Sequence, residues 1–102
     1  MIDEIRRKFE SVAYEYSLHA VDQSILRRVS RYEVEEAIGQ GQIIEDYPSD
    51  KYGPSCLIFG LTSGGRPIHV QCTHPAEYKI KIITVYEPDS KQWVDFKVRR
   101  IQ

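Results

Sequence analysis

The apolar positions in the first part of the chain recur at the spacing of an α-helix. An amphipathic helix is predicted in "IDEIRRKFESV", where one face collects Ile2, Ile5, Phe9 and Val12. Ser17 is a suitable N-cap for a second helix through "LHAVDQSILRR", with Val21 and Ile25 on one side. "SRYE" is a capping box that starts a third helix in "RYEVEEAI". Between the first two helices, the alternation in "AYEYS" predicts a short strand or an extended link.

After Gly41 the spacing changes from helical to extended. Strands are predicted in "QIIEDY", "CLIFGLT", "RPIHVQCT" and "YKIKIITVYE", and turns rich in Pro, Gly and Asp separate them. The continuous apolar run "CLIFGLT" indicates a strand that is covered on both faces. In "RPIHVQCT" the residues alternate, so Ile68, Val70 and Cys72 point to one side and His69 points to the other.

The last segment, "DSKQWVDFKVRR", is predicted to form a closing helix that Trp93 and Phe96 anchor. Helices that precede a run of consecutive strands are typical of α+β proteins. The sequence therefore predicts a single domain over residues 1–102. In this α+β fold, N-terminal helices pack on one face of an antiparallel meander sheet of about four strands, and a C-terminal helix follows.

The charge distribution adds to this picture. The net charge is −1, which excludes a protein that binds nucleic acid through its overall charge. Residues 1–50 carry 6 basic and 11 acidic side chains, a net charge of −5, whereas residues 51–102 carry 8 and 4, a net charge of +4. The second half therefore either supplies a basic face or carries ordinary solvated charge.

Compartment and cofactors follow from what the sequence lacks. No apolar run approaches the roughly 18 residues of a membrane span, and the N-terminal sequence has no apolar segment typical of a signal peptide. We therefore expect a soluble cytoplasmic protein. Cys56 and Cys72 lie in apolar strands and are expected to be buried free thiols, because structural disulfides are uncommon in a reducing cytosol. Neither cysteine belongs to a Cys-x-x-Cys pair, so no zinc site and no cofactor are predicted.

Four stretches of the chain resemble a known family. "SLHAVDQSILRR", "EVEEAIGQGQIIEDYPSDKYGPSCLIFG", "GRPIHV" and "IITVYEPDSKQW" are together similar to the prokaryotic family domain of unknown function 4258, over residues 14–100. More distantly, a His near the start, a helix, a "GR" hairpin and an "II" strand resemble BrnT-type toxins. Those toxins have the RelE-like ribonuclease fold, so the resemblance implies a RelE/BrnT-like fold here.

The resemblance also implies a function and a partner. RelE-like toxins cleave RNA without a metal ion, and an antitoxin encoded beside the toxin neutralises them. Members of the family are often encoded beside a small zinc-ribbon protein of the YgiT kind. The expected function is therefore the toxin of a type II toxin–antitoxin system, an endoribonuclease that acts on mRNA, free or on the ribosome. The alternative is a non-catalytic domain whose basic sheet face docks a partner chain.

Metal-free RNA cleavage needs a base for the 2′-OH proton, an acid for the leaving oxygen and a cation for the charged phosphorane. Imidazole suits both proton transfers because its ordinary pKa is about 6.5, and guanidinium and ammonium groups bind phosphate. The "GRPIH" and "YKIKI" strands should pair, which would bring Lys81 beside His69. The predicted catalytic residues, expected to meet in one shallow basic concavity, are His19, Arg66, His69 and Lys81.

The residues expected to bind RNA lie at the rim of that concavity. Tyrosine stacks on bases and lysine binds phosphate, which makes Lys51 and Tyr52 candidates in the loop after "EDYPSD". Glu87 is a candidate carboxylate base, and Arg99 is a further cation. Structural alternatives remain open for each type of residue. They are a histidine bonded to the backbone, solvated surface charges, and a loop that packs on itself or docks the antitoxin.

Overall fold

A computed structural model describes residues 1–51, 53–76 and 78–101. Within these ranges the chain forms three helices, α1 (Ile2–Glu10), α2 (Leu18–Leu26) and α3 (Arg31–Gly39). A short strand, β1 (Tyr14–Tyr16), lies between α1 and α2. The longer strands are β2 (Gln42–Tyr47), β3 (Ser55–Leu61), β4 (Pro67–Thr73) and β5 (Ile80–Tyr86). Two short strands follow, β6 (Trp93–Val94) and β7 (Val98–Arg99).

Serine side chains start α2 and α3, as the sequence predicts. The Ser17 hydroxyl accepts a hydrogen bond from the Ala20 amide and donates its own to the Ile83 carbonyl on β5, which fixes the start of α2 against the sheet. Ser30 and Glu33 form both hydrogen bonds of the predicted capping box at α3. None of the helices in the described ranges is long and apolar enough to cross a membrane.

The predicted α+β fold and its meander are confirmed. Strands β2, β3, β4 and β5 are consecutive antiparallel neighbours. The main sheet has five strands rather than four, because β1 adds in parallel to the outer edge of β5 and gives the order β1-β5-β4-β3-β2. The alternating "AYEYS" is therefore a strand and not a link. Helix α2, which begins next to Ile83, packs against β5.

The hydrophobic core lies between the helices and one face of this sheet. Ile68, Val70 and Cys72 are fully buried on that face, which confirms the predicted alternation of β4. Strand β3 is buried along residues 55–60, so both of its faces are covered, as expected. Cys56 lies opposite Cys72 across the β3–β4 ladder, and both are buried free thiols.

Helix α3 approaches β3 very closely at Gly60. A Cβ atom at Gly60 would collide with the carbonyl oxygen of Ala37 and stand 2.6 Å from its carbonyl carbon. The missing side chain therefore lets α3 sit directly on the sheet. Arg6 of α1 donates hydrogen bonds to the carbonyl oxygens of Ile38 and Gly41, and so holds α1 against the end of α3.

The predicted C-terminal helix is wrong. Strands β6 and β7 form a hairpin, which the Arg100 amide closes by donating to the Gln92 carbonyl. Its turn is built on Asp95 and Phe96, whose φ angles of 52° and 61° lie in the left-handed region that a type I′ turn requires.

The hairpin is stabilised by its contacts with His69 on the outer face of the sheet. The Trp93 side chain is buried over this histidine, and the Phe96 carbonyl oxygen accepts a hydrogen bond from its ring. In a continuing helix that carbonyl would accept from the amide four residues later. Tertiary contacts therefore outweigh the helical spacing of the segment.

We predict that Gly60→Ala lowers the free energy of unfolding by about 2–3 kcal/mol, because the added methyl group must push α3 away from β3. Gly39→Ala is the matched control. A Cβ atom at Gly39 meets nothing within 4 Å among the described residues, and alanine favours a helix. Urea unfolding of both variants, followed by circular dichroism, measures the difference. Equal stabilities would show that the close approach is not a constraint.

Candidate functional site

A cleft of about 330 Å³ opens beside the C-terminal hairpin, where β5 ends. We call it the hairpin cleft. The C-cap of α2, the end of β5 and the hairpin segment line it with Arg27, Tyr86, Glu87, Asp89, Gln92, Trp93 and Arg99. It combines two guanidinium groups, two carboxylates and a phenol, which are groups that bind polar ligands and exchange protons.

His69 lies behind this cleft and is fully buried between the sheet and the hairpin. Its ring packs edge-on against Trp93 and Tyr86, with ring centroids 4.5 and 5.2 Å away. Its Nε2 is 2.6 Å from the Phe96 carbonyl oxygen, and its Nδ1 is 3.1 Å from the Tyr86 hydroxyl oxygen. Both ring nitrogens therefore have a partner, as buried polar groups require.

These partners fix the tautomer of His69. A carbonyl oxygen only accepts hydrogen bonds, so Nε2 carries the ring proton. In the neutral ring Nδ1 is then an acceptor, and the Tyr86 hydroxyl donates to it. The Tyr86 oxygen keeps its lone pairs when it donates to Nδ1, so it can also accept a hydrogen bond, and Tyr86 lines the cleft.

Burial dominates the titration of both groups. It lowers the pKa of His69, and the hydrogen bond to the Phe96 carbonyl offsets this only in part, so the ring is neutral near pH 7. Burial also raises the pKa of Tyr86, against the opposing charge of Arg99. Near neutral pH, His69 and Tyr86 are therefore both uncharged and joined by a hydrogen bond.

Arg66 joins three segments at the end of the cleft. Its Nε donates to Glu87 Oε1 at 2.6 Å, and its Nη1 donates to Glu33 Oε2 at 2.9 Å. The same guanidinium donates to the carbonyl oxygens of Arg27 and Arg28, at 3.1 and 2.8 Å. The hydrogen bonds to Glu87 and Glu33 raise the pKa of Arg66. The hydrogen-bond donors of Arg66 are thus used by acceptors within the protein. Arg66 therefore holds the cleft wall in place instead of binding phosphate.

Arg99 stands on the opposite side of the cleft, on β7. Its guanidinium lies over the Trp93 ring, 4.6 Å from the centroid, and its Nε is 3.0 Å from Glu45 Oε2. The hydrogen bond to Glu45 raises the pKa of Arg99. The Arg99 side chain is 62% exposed, so it remains accessible to an anionic ligand in the cleft.

The structure gathers four of the predicted site residues at this end of the sheet. Arg66 contacts Glu87, His69 is bonded to the neighbouring Tyr86, and Arg99 lines the same cleft. His69 does not face an open concave surface, as the sequence suggested, because the hairpin covers it. The catalytic and RNA-binding roles of these residues stay predictions.

Lys81 does not lie beside His69, and that expectation is wrong. In the β4–β5 ladder His69 is opposite Tyr86, while the Lys81 amide donates to the Thr73 hydroxyl. Antiparallel strands run in opposite directions, so a residue far before the turn pairs with a residue far after it. At about 3.3 Å per residue, Lys81 is roughly 16 Å from Tyr86 along β5.

The other predicted residues lie elsewhere. His19 is exposed in the first turn of α2, whereas the cleft meets the C-cap of that helix, about 12 Å further along its axis. Lys51 is exposed in the β2–β3 turn, at the end of the sheet opposite to the β3–β4 turn that precedes Arg66. Tyr52 lies outside the described residues. The single basic concavity expected from the sequence is therefore not formed.

The sequence interpretation missed Tyr86 and Arg27 as site residues. The signal for Tyr86 is the pairing of its strand with that of His69, but counting outward from a four-residue "HPAE" turn places Ile82 opposite His69, four positions short of Tyr86. The longer connection between β4 and β5 and the irregularity in the ladder after Gln71 shift the register and bring Tyr86 there. Arg27 has no comparable signal, because only tertiary packing brings the end of α2 to the hairpin.

The hairpin cleft is equipped for proton transfer next to a bound anion. The Tyr86 oxygen is able to accept a proton while the hydroxyl passes its own proton to His69. Arg27 and Arg99 supply positive charge at the cleft wall. Glu87 uses Oε1 to pair with Arg66, and its side chain is 51% exposed, so it also presents a carboxylate to solvent.

Comparison with known proteins gives a family. A family model described as "Domain of unknown function (DUF4258)" matches residues 16–87. This span runs from the end of β1 to the end of β5 and contains Arg66, His69, Tyr86 and Glu87, but not the β6–β7 hairpin. No curated protein and no solved structure matches the chain significantly.

We predict that His69 makes the protein less stable as the pH falls below about 6.5. The pKa of His69 is lowered in the folded state, so the unfolded chain binds the proton first and acid favours unfolding. The stability that this group contributes is complete above the ordinary pKa and is lost below it, by up to about 1.4 kcal/mol per pH unit.

His69→Gln should flatten this dependence, since an amide keeps a donor and an acceptor but does not titrate. His19→Gln, which changes an exposed histidine, should retain it. Urea unfolding of the three proteins between pH 5 and pH 8 provides the measurement. An unchanged slope in His69→Gln would mean that His69 is not the group responsible.

Proposed function

The chain belongs to the DUF4258 family, and from that premise we propose that it is a metal-independent endoribonuclease. It acts on mRNA in the cytoplasm as the toxin of a type II toxin–antitoxin system. The observation that supports this most is Tyr86, which lines a cleft that also contains arginine side chains and whose hydroxyl donates to a buried neutral His69. The resemblance to BrnT and RelE-like toxins suggests the reaction.

Charge around the cleft favours an anionic ligand. The segment 91–100, which forms the hairpin, carries four cations and one carboxylate, namely Lys91, Lys97, Arg99, Arg100 and Asp95. Arg27 adds a further cation from α2. Such a group neutralises backbone phosphates, and Trp93 or Tyr86 offers an aromatic ring beside it. The cleft lining itself is balanced, because Glu87 and Asp89 oppose Arg27 and Arg99. The positive charge that supports RNA binding therefore comes from the rest of the hairpin segment, although the whole chain has a net charge of −1.

The proton path follows from the hydrogen bonds. The ribose 2′-OH gives its proton to the Tyr86 oxygen while the Tyr86 hydroxyl gives its own proton to His69 Nδ1. The 2′-oxygen attacks phosphorus, the bond from phosphorus to the 5′-oxygen breaks, and water protonates the leaving oxygen. A 2′,3′-cyclic phosphate and a 5′-hydroxyl result. Burial opposes the imidazolium that forms, whereas the Phe96 carbonyl stabilises it, and Arg27 and Arg99 stabilise the phosphorane.

We predict that Tyr86→Phe lowers the rate of RNA cleavage roughly 10²–10⁴-fold, because the proton relay is lost while the ring remains. Tyr78→Phe, at an exposed tyrosine, is the control and should cleave like the parent. End-labelled mRNA, incubated with and without ribosomes, gives the rate, and the product ends show whether a cyclic phosphate forms.

Cleavage by Tyr86→Phe at the parent rate would remove Tyr86 from the reaction. An inactive parent protein would instead favour the non-catalytic alternative, a domain that docks a partner chain. His69→Ala is a poor test of the reaction, because it opens a cavity beneath the hairpin and destabilises the fold.

The proposed partner is a small zinc-ribbon antitoxin of the YgiT kind. We predict that the product of the adjacent reading frame co-purifies with the chain and relieves its toxicity on co-expression. The Tyr86→Phe variant should bind that product as the parent does, since the variant keeps the surface and removes only the reaction. Growth arrest that the neighbouring product does not relieve, or no complex on size exclusion, would contradict the antitoxin assignment.

A further inference from the structure

Helix α2 presents its apolar side chains to solvent. Leu18, Val21, Ile25 and Leu26 are 86%, 39%, 72% and 75% exposed, and we call them the α2 stripe. The side of the helix that faces the protein carries smaller or polar residues instead, with Ala20 fully buried and Gln23 and Ser24 partly buried. A run of large apolar side chains on one exposed helix face is typical of a surface that another molecule covers.

A groove lies directly beside this stripe. It has a volume of about 480 Å³ and runs between β1, α2 and the start of α3, with a lining of Tyr14, Glu15, Tyr16, Val21, Ser24, Val29 and Arg31. We call it the β1–α2 groove. Val21 belongs to both the groove and the stripe, so the two surfaces are continuous. None of the groove residues lines the hairpin cleft.

The groove contains a polar group that needs a partner. The Tyr16 hydroxyl is buried and has no hydrogen-bond partner among the residues that the structure describes. Burying a hydroxyl without a hydrogen bond is unfavourable, so such groups are rare in folded proteins. The neighbouring Tyr14 differs, because its hydroxyl donates to Glu35 Oε1 at 2.9 Å. An acceptor supplied from outside the chain would satisfy Tyr16.

A cation lines the same groove. The Arg31 guanidinium lines the groove and lies over the Tyr14 ring, 5.9 Å from its centroid. Burial raises the pKa of Tyr16; the charge of Arg31 opposes that rise and the charge of Glu35 adds to it. The groove therefore combines an unpaired O–H donor with a guanidinium, beside the carboxylate of Glu15. A carboxylate that bridges the donor and the guanidinium would be the strongest acceptor for them.

We propose that the β1–α2 groove and the α2 stripe together bind an apolar peptide segment of a partner protein that carries a carboxylate side chain. The carboxylate accepts from Tyr16 and pairs with Arg31, while apolar side chains of the segment cover Val21 and Ile25. This inference deepens the partner part of the proposed function and is independent of RNA cleavage. It identifies the partner segment by its chemistry, whichever protein contains it.

A second copy of this chain fits the surface less well. Asp22 is exposed in the middle of the stripe, between Leu18 and Ile25 on the same face of the helix. Packing α2 against its symmetry mate across a two-fold axis would bring two Asp22 carboxylates together, and like charges in contact oppose association. A heterologous segment escapes this repulsion because its residue opposite Asp22 need not be acidic.

To test this, a library of random displayed peptides is selected for binding to the purified full-length protein. Enriched peptides are expected to combine an Asp or Glu with large apolar residues. Their affinity should fall roughly 10- to 100-fold in Tyr16→Phe and Arg31→Gln, because each variant removes a charge-assisted contact. Ile25→Ser should also weaken binding. Tyr32→Phe, at an exposed tyrosine next to Arg31 in sequence, should bind like the parent.

Two further readouts separate binding from folding. The free Tyr16→Phe protein should be as stable as the parent or more stable, since the variant removes an unpaired buried hydroxyl, and it should retain the RNA cleavage rate of the parent. Peptides that lack an acidic residue, equal binding by Tyr16→Phe, or no enrichment at all would overturn the proposal. Sedimentation of the parent as a dimer that Ile25→Ser dissociates would also overturn it in favour of a second copy.

Discussion

The guanidinium of Arg66 is the contact that connects the parts of this fold. It donates to Glu33, which also completes the capping box of α3, and to Glu87, which follows the last residue of β5. It further donates to the carbonyl groups that end α2. One side chain therefore fixes where α2 ends, where α3 begins and where the chain leaves the sheet. Without it, acceptors on three segments, of which the Glu33 carboxylate is partly buried, would lose this partner, so the geometry of the hairpin cleft depends on it.

The C-terminal hairpin gives the sheet a second covered face and changes the chemistry of His69. An exposed histidine would titrate near neutral pH and transfer protons directly. Beneath Trp93 and bonded to Phe96, it is neutral and reaches the cleft only through the Tyr86 hydroxyl. In the proposed reaction, the same burial that makes His69 part of the core thus makes Tyr86, not His69, the group that contacts the substrate. At the edge of the sheet where β1 meets α2, large apolar side chains of α2 are exposed in the part of the chain that the structure describes, and the proposed partner segment would cover them.

The sequence correctly predicted those helices and strands that are determined by residues close together in the chain. The capping box at Ser30, the cap at Ser17 and the alternation of β4 each depend on residues close in sequence, and the structure contains all of them. The candidate site could be predicted only in part. Arg66 contacts Glu87 at the end of β5, and His69 pairs with the neighbouring Tyr86. Lys81 lies far from them along β5, because a pairing register depends on turn length and on an irregularity in the ladder.

The sequence by itself determined an α+β fold with an antiparallel meander, buried cysteines and three capped or amphipathic helices, since hydrophobic spacing and capping residues act over a few positions. Only the tertiary structure decided which side of α2 faces outward and that the last segment is a hairpin. The spacing of Val21 and Ile25 predicts an apolar face but does not say whether the protein or a partner covers it. Similarly, Trp93 and Phe96 suit either a helix or a hairpin, and the need to cover His69 with an acceptor and an aromatic surface selects the hairpin.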